Sequence, residues 1–350
     1  MYSPAISICF PTMNRLGHLK RSILSIRNEL TGYCDYEIVV VDGISSDGTQ
    51  SWLSAQPDVV LIVESERRGC CHAFDQSLRA AKGRWVCWLN DDVLVLPDSL
   101  RAMHSFATSR LKPEDMAAFP SSRGPDKLND FVVNTVGRFR PLIYANFGFL
   151  RRNTLETLGY LNLSYQKFGW DPDLSLRVWS SQGSVVPCNE AKIIHYFIDD
   201  GTRNNDEEKR QLDYLTLKTM WPSLGYFAED SVYDFSKFPD YLALLDPWRR
   251  LKIMVSETNF HVAISEIHAL ALKSRCWGEC YDIGKMMAFR GEDKLALDIF
   301  NLIIEARNQV TQDLYCWAIY QKAVLLKQKD AAESQRLMSL IEDKIEIPGS

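Results

Sequence analysis

A chain of 350 residues that is 46% hydrophobic, 11% aromatic and 24% charged has the make-up of a globular protein and length enough for about two domains. Its formal net charge of −5 gives no general electrostatic case for nucleic acid. No run approaches the roughly 18 apolar residues of a membrane span, and "MYSPAISICFPTMNR" lacks the basic-then-apolar layout of a secretory signal.

The predicted elements alternate from the start. "AISICF" (5–10) is a short β-branched apolar run, followed by the loop "PTMNR", in which Asn14 is placed to cap a helix. Leu16, Leu19, Ile23, Ile26 and Leu30 then recur at spacings of three and four and mark one helix face. "YEIVVV" (36–41) reads as a buried strand ended by "DGISSDGT", where Asp47 and Thr49 are cap residues. A short helix (49–55), a strand (58–63), a helix with Ala73, Phe74, Leu78 and Ala81 on one face, and the strand "RWVCWL" (84–89) follow. Strands separated by helices predict an α/β domain with a mostly parallel, Rossmann-like sheet flanked by helices. Ligands in such sheets bind outside the carboxyl ends of the strands, here 11–15, 42–49, 64–69 and 90–93.

After about residue 203 the pattern changes, and helical periodicity dominates to the end. Residues 1–203 are therefore assigned to the α/β domain and 204–350 to an all-α carboxy-terminal domain. The stretch 259–344 reads as four helices with room for a fifth, and two segments about 37 residues apart echo each other, as in helical-hairpin repeats. The nine cysteines are odd in number and scattered through apolar runs, which predicts free thiols, a reducing compartment and hence a cytoplasmic location, with peripheral membrane contact left open. Cys276 and Cys280 lie one helical turn apart, but no second Cys/His pair with zinc spacing accompanies them.

Four places carry chemistry. "WLNDDVLV" sets Asp91 and Asp92 directly after a buried strand; their hard oxygens suit Mg²⁺ or Mn²⁺, and a simple turn is the competing reading. The apolar run resumes at once, so the acids interrupt it rather than close it. Asp42 stands where it can accept from a base N–H or a ribose hydroxyl; the glycine fingerprint of dinucleotide folds and the Walker pattern are both absent. His195, at a strand end, is either structural or a ligand. "WDPDLSLR" offers Asp171 and Asp173, either a helix cap with a charged first turn or a place where a proton is removed. Asp173 and Arg177 have the spacing of a helical ion pair.

The order "PTMNR", "IVVVDGISSDGT", "RRGCCHAFDQSLRAAKGRWVCWLNDD" and "WDPDLSLRVWSSQG…IIHY" resembles the family 2 glycosyltransferases with the GT-A fold, over roughly residues 4–200. The resemblance implies an inverting transferase that uses a nucleotide-diphosphate sugar, most commonly a UDP-sugar, a hydroxyl-bearing glycan or other acceptor, and Mn²⁺ or Mg²⁺. It implies nucleotide contacts at Pro11, Thr12, Arg15 and Asp42. Gly69, Ala73, Asp75, Leu78, Ala81 and Gly83 match the helix leading to the acidic strand. The acidic DXD motif reads Asn90-Asp91-Asp92, so its first acid is missing; Asp92 remains the implied metal ligand, with Asp91 near the ribose or metal. Asp171 falls on the general base, and Trp170 on a position that is often acidic, where it is expected to stack on the acceptor. His195 matches a position used for metal or phosphate, Arg68 (with Arg67) can reach the diphosphate, and Asn146 and Gly148 match the acceptor-side segment. The glycine-bearing loop 120–141 is expected to close over the donor. A partner protein is expected to use the helical domain. Two alternatives remain at this point: a sugar-nucleotide nucleotidyltransferase, disfavoured by the lack of a Gly-rich basic loop after the first strand, and a non-catalytic scaffold, supported by Asn90 alone.

Overall fold

The computed structural model describes residues 4–124, 130–137, 142–198, 207–222, 246–248, 250–252, 260–342 and 344. The chain divides into two compact units, the first built mainly on Met1–Val136 and Leu142–Ser223, the second on Asp246–Ser350.

The first unit opens with β1 (Ile6–Thr12), α1 (Leu16–Leu30), β2 (Tyr36–Asp42), α2 (Thr49–Ser54), β3 (Val59–Val63), α3 (Cys70–Ala80) and β4 (Trp85–Trp88). It continues through β5 (Val93–Val95), α4 (Ser99–Arg110), β6 (Met116–Ala118), β7 (Ser121–Arg123), β8 (Asn134–Val136), β9 (Leu142–Tyr144) and β10 (Gly148–Arg151). α5 (Arg152–Thr157), α6 (Trp170–Ser180), β11 (Val185–Pro187), β12 (Ile193–His195) and α7 (Glu207–Met220) complete it. A seven-stranded sheet in the order β11-β6-β10-β4-β1-β2-β3 is parallel except for β10, which runs antiparallel to both β4 and β6. This is the mostly parallel, helix-flanked architecture that the alternating pattern predicts. A smaller sheet, β5-β12-β7, carries the resumed "VLV" run and His195.

β1 shows why its strands read as continuous apolar runs. Ile6, Ile8 and Phe10 share one core with Leu19, Ile23, Ile26 and Leu30 of α1 and Leu100 and Met103 of α4. Ser7 and Cys9 point to the other face, where the Cys9 thiol donates to the Ser77 carbonyl of α3 (3.5 Å). A strand covered on both faces has no polar side to show in its sequence.

One local expectation needs correction. Asn14 does not cap α1: it sits at φ 51°, and its side-chain oxygen accepts from the Ser46 amide (2.7 Å). The loop after β2 supplies that service instead, because Asp47 accepts from the amide of Leu16, the first residue of α1 (3.0 Å), and from that of Thr49 (3.1 Å). In the loop 120–141, residues 125–129 and 138–141 lie outside the described residues.

The second unit contains α8 (Phe260–Ser274), α9 (Trp277–Phe289), α10 (Asp293–Glu305), α11 (Gln312–Leu326) and α12 (Ala331–Ser339), with no strand among its described residues. Trp277, Cys280, Ile283 and Met287 pack with Ala296, Ile299, Phe300 and Ile303 in its main core. Thr311 and Asp330 cap α11 and α12 by accepting from the amides of Leu314 (3.3 Å) and Glu333 (3.0 Å). All nine cysteines are free thiols. Among the described residues no helix is long and apolar enough to cross a membrane.

Candidate active site

Because β1, β2 and β4 run parallel, Thr12, Asp42 and the Asn90–Asp92 loop emerge at one edge of the sheet. Asp91 and Asp92 are 5% and 2% exposed. Two adjacent carboxylates at that depth require compensation, and the loop after β1 provides it. Thr12 donates its hydroxyl to Asp91 (2.9 Å), and Arg15 donates to the other Asp91 oxygen (3.2 Å) while lying 3.8 Å from Asp92. A second Arg15 nitrogen donates to the Ile198 carbonyl (3.1 Å). Burial pushes the Asp91 carboxyl up to about 6 despite Arg15. Thr12 and Arg15, expected at the nucleotide, are thus also the partners of the acids.

His195 reaches this cluster from β12. Its Nε2 lies 3.1 Å from the Asp92 carboxylate and 3.1 Å from the Asn90 side-chain amide. With Nδ1 protonated, Nε2 accepts from Asn90; with Nε2 protonated, it donates to Asp92. Asn90, the departure from an acidic motif, is therefore engaged with the imidazole. The Ile198 amide donates to the second Asp92 oxygen (3.1 Å), and the imidazole packs against the Phe197 ring, tilted by 38° with centroids 3.7 Å apart.

The donor set fits a divalent cation in part. Two neighbouring ligands on an octahedral ion with bonds of about 2.1 Å stand roughly 3 Å apart, the separation of Asp92 Oδ1 and His195 Nε2. Among the described residues no group of three protein ligands converges, and Cys276 and Cys280 form no such group either. Two protein ligands leave most of the coordination sphere to oxygens from elsewhere.

A second group of buried acids lies at the ends of β2 and β3. Asp42 is fully buried; one oxygen accepts from the Ser45 amide (2.8 Å) and the Gln50 side chain (2.7 Å), and the other has no partner among the described residues. Glu64, just beyond β3, also holds a buried oxygen without a partner there, and burial raises its carboxyl above the usual range. Unsatisfied buried acceptors cost free energy unless a donor meets them, so the pair suits a ligand rich in N–H and O–H groups. Pro11 is half-buried within β1, opposite Val41. Arg67 and Arg68 are exposed beside Glu64, away from the acid cluster's own hydrogen bonds.

The third component is the start of α6. Its N-cap is Gly169, at φ 81°, so Asp171 is the second helical residue and not the cap, and Pro172 is the third. Asp171 is 7% exposed and accepts one side-chain hydrogen bond, from Asn146 (2.8 Å). Burial pushes its carboxyl up to about 6, partly opposed by Asn146. A hydrogen bond from its own backbone amide also opposes the rise. The Asn146 carbonyl accepts from the Trp88 indole (3.0 Å), so Asp171 is tied through Asn146 to the strand that ends in Asn90–Asp92. Asp173 is occupied: Arg177 (3.0 Å) and the Trp221 indole (2.8 Å) donate to its two oxygens.

Trp170 and Gly148 shape this region from beneath. Trp170 is 5% exposed and packs against Phe74 (4.6 Å between ring centroids) and Trp88 (6.2 Å), which places it in the wall. Gly148 lies under Trp88; a Cβ there would come within 2.1 Å of the indole. Glu64 and the Ile198 amide went unread in the sequence. Glu64 opens a strand-end loop and had that signal; Ile198 contributes only backbone and had none.

The Glycosyl transferase family 2 model matches residues 7–111. A PGL/p-HBAD biosynthesis glycosyltransferase from Mycobacterium bovis is 26% identical over 236 residues, 63% of this chain and 87% of the relative. The succinoglycan biosynthesis protein ExoO of Rhizobium meliloti is 44% identical over 69 residues, 19% of this chain and 20% of that protein. Among solved structures, the mannosyltransferase PcManGT from Pyrobaculum calidifontis, in complex with GDP-Man and Mn²⁺, shares the fold with a TM-score of 0.50 at 18% identity, covering 87% of each chain. The acid-bearing sheet edge and these likenesses agree: the chain is a glycosyltransferase with a GT-A-type fold, and its residues 7–111 match family 2.

Proposed function

We propose that the protein transfers a glycosyl group, with inversion, from a nucleotide-diphosphate sugar to an acceptor hydroxyl, with Asp171 as general base. The observation that carries this reading is the Asp171–Asn146–Trp88 chain of hydrogen bonds, which fixes a buried carboxylate to the strand leading into Asp91 and Asp92. A sugar hydroxyl is a poor nucleophile, and a carboxylate poised near 6 is ionised at neutral pH yet basic enough to accept its proton. As the hydroxyl oxygen attacks C1, its proton passes to Asp171 and the nucleoside diphosphate departs from the opposite face. Asp173 is bound by Arg177 and Trp221, which leaves Asp171 as the carboxylate that α6 can offer and favours a single displacement.

Asp92 and His195 would hold Mn²⁺ or Mg²⁺, with Asp91 close by; such an ion neutralises charge on the diphosphate. Asp42 and Glu64 would receive the ribose or base, and Arg15 and Arg68 the phosphates. UDP is the proposed nucleotide. Asn146, with Gly148 and Trp170 shaping the wall, would border the acceptor. The second unit is proposed to bind the acceptor or a partner protein.

The test is a screen of UDP-, GDP- and dTDP-sugars with Mn²⁺, read by donor hydrolysis and thermal shift. A donor that is hydrolysed and stabilises the protein supports the reading. No stabilisation by any nucleotide, with or without metal, would remove it. Asp171→Asn retaining full turnover would remove the base assignment alone.

A further inference from the structure

α7 follows the catalytic sheet in sequence and has no part in the reaction described above, yet it buries a carboxylate. Asp213 is 1% exposed. One of its oxygens accepts from the Gln166 amide (2.8 Å), and the other accepts from the amides of Lys167 (2.9 Å) and Phe168 (2.8 Å). No Lys or Arg forms an ion pair with it among the described residues. Three convergent N–H dipoles make a nest of the kind that holds anions, so the charge of Asp213 is balanced by the backbone of one short segment. That segment ends at Gly169, the left-handed residue from which α6 starts, and Asp171 is two residues further on. A second contact arrives from the residue just past α7: the Trp221 indole donates to Asp173 (2.8 Å), an oxygen that also accepts from the Tyr165 hydroxyl (3.4 Å). α7 therefore grips the entrance of α6 on both sides of Asp171, by its backbone before it and by a side chain after it.

We propose that Asp213, assisted by Trp221, is a positioning residue that fixes the angle at which α6 presents Asp171 to the acceptor hydroxyl. The inference rests on Asp171 being the base. Neither residue touches Asp171 in any contact described, so both act through the segment that carries it. Proton acceptance during attack tolerates little misplacement; a shift of about 1 Å costs on the order of 100-fold in rate. Asn at 213 keeps the volume, but its NH₂ group faces amide donors where an oxygen stood. The amides that lose their acceptor then loosen the turn before α6.

The experiment uses the full chain and a donor that the wild type hydrolyses. Asp213→Asn should lower kcat roughly 10- to 100-fold and leave the donor KM within about twofold, because the Asp42 and Asp92 end of the site is untouched. Hydrogen exchange at the amides of Gln166, Lys167 and Phe168 should accelerate at least tenfold. Trp221→Phe, which removes the indole N–H and retains an aromatic ring, should lower kcat severalfold and decides the matter if Asp213→Asn does not fold. Faster exchange with unchanged kcat, a rise in donor KM at constant kcat, or wild-type turnover in Trp221→Phe each overturns the proposal. Asp171→Asn is measured in parallel. If that variant stays active, the base assignment is at fault; if it is inactive while Asp213→Asn is not, only the positioning role is lost.

Discussion

Replacing Asp171 by Asn separates the proposed base from its packing. Asn retains an oxygen for the Asn146 side chain, so the hydrogen bond at 2.8 Å can survive, while the ionisable group is gone. Burial raises this carboxyl from 3.8 to about 6. A group that binds its proton more tightly when folded than when unfolded opposes folding once it ionises. The penalty is absent well below 3.8, grows between about 4 and 6, and is complete above that. Its size at pH 8 is on the order of 2–3 kcal/mol. Urea unfolding of both proteins at pH 4.5, 6 and 8 measures it: Asp171→Asn should be the more stable at pH 8 by that amount, with the gap shrinking to roughly 1 kcal/mol at pH 4.5. Donor hydrolysis should fall at least about 100-fold in the variant, and wild-type kcat/KM should fall as pH drops below about 6. A variant that is equally or less stable at pH 8, or a stability gap that does not change with pH, would refute the claim that Asp171 is held ionised at a cost.

Arg15→Ala leaves Asp91 and Asp92 without their shared cation and should destabilise the ligand-free protein by about 3–5 kcal/mol; thermal melts with Mn²⁺ and a nucleoside diphosphate should recover part of the loss. Gly148→Ala should cost about 1–3 kcal/mol by overpacking and should change near-UV circular dichroism, since the new methyl meets Trp88. Glu64→Ala removes a buried acceptor that has no partner among the described residues, so calorimetry should show nucleotide affinity lower by about tenfold with stability within about 1 kcal/mol. Asp92→Asn should remove the dependence of donor hydrolysis on Mn²⁺, measured against chelator.

The first four strands were readable because each is an apolar run cut off by polar turn residues, whereas β7, Ser-Ser-Arg, and β8, Asn-Thr-Val, carry no such signal. Asp92 directly precedes Val93, the partner of His195 across β5 and β12, and only that pairing of distant segments sets the two side chains 3.1 Å apart; the order of motifs suggested the meeting, which spacing alone could not. The N-cap of α6 was misplaced onto Asp171 because Pro172 reads as a first helical residue, whereas Gly169 at φ 81° starts the helix sooner. Arg15 was read only as a nucleotide contact, since nothing local in "PTMNR" reveals that its guanidinium turns toward the acids after β4. The Asp173–Arg177 pair was legible from its helical spacing, whereas the indole that holds the other Asp173 oxygen belongs to Trp221, 48 residues away and beyond the reach of any periodic pattern.

The grip of α7 on the segment before α6 also bears on how the chain can be dissected. Composition changes near residue 203, the natural place to cut if the α/β part were to be isolated. A fragment ending there would lose both Asp213 and Trp221, leaving three amides without their acceptor and Asp173 without its indole donor. A fragment that preserves the packing of α6 extends past Trp221, and limited proteolysis should spare α7 together with the sheet.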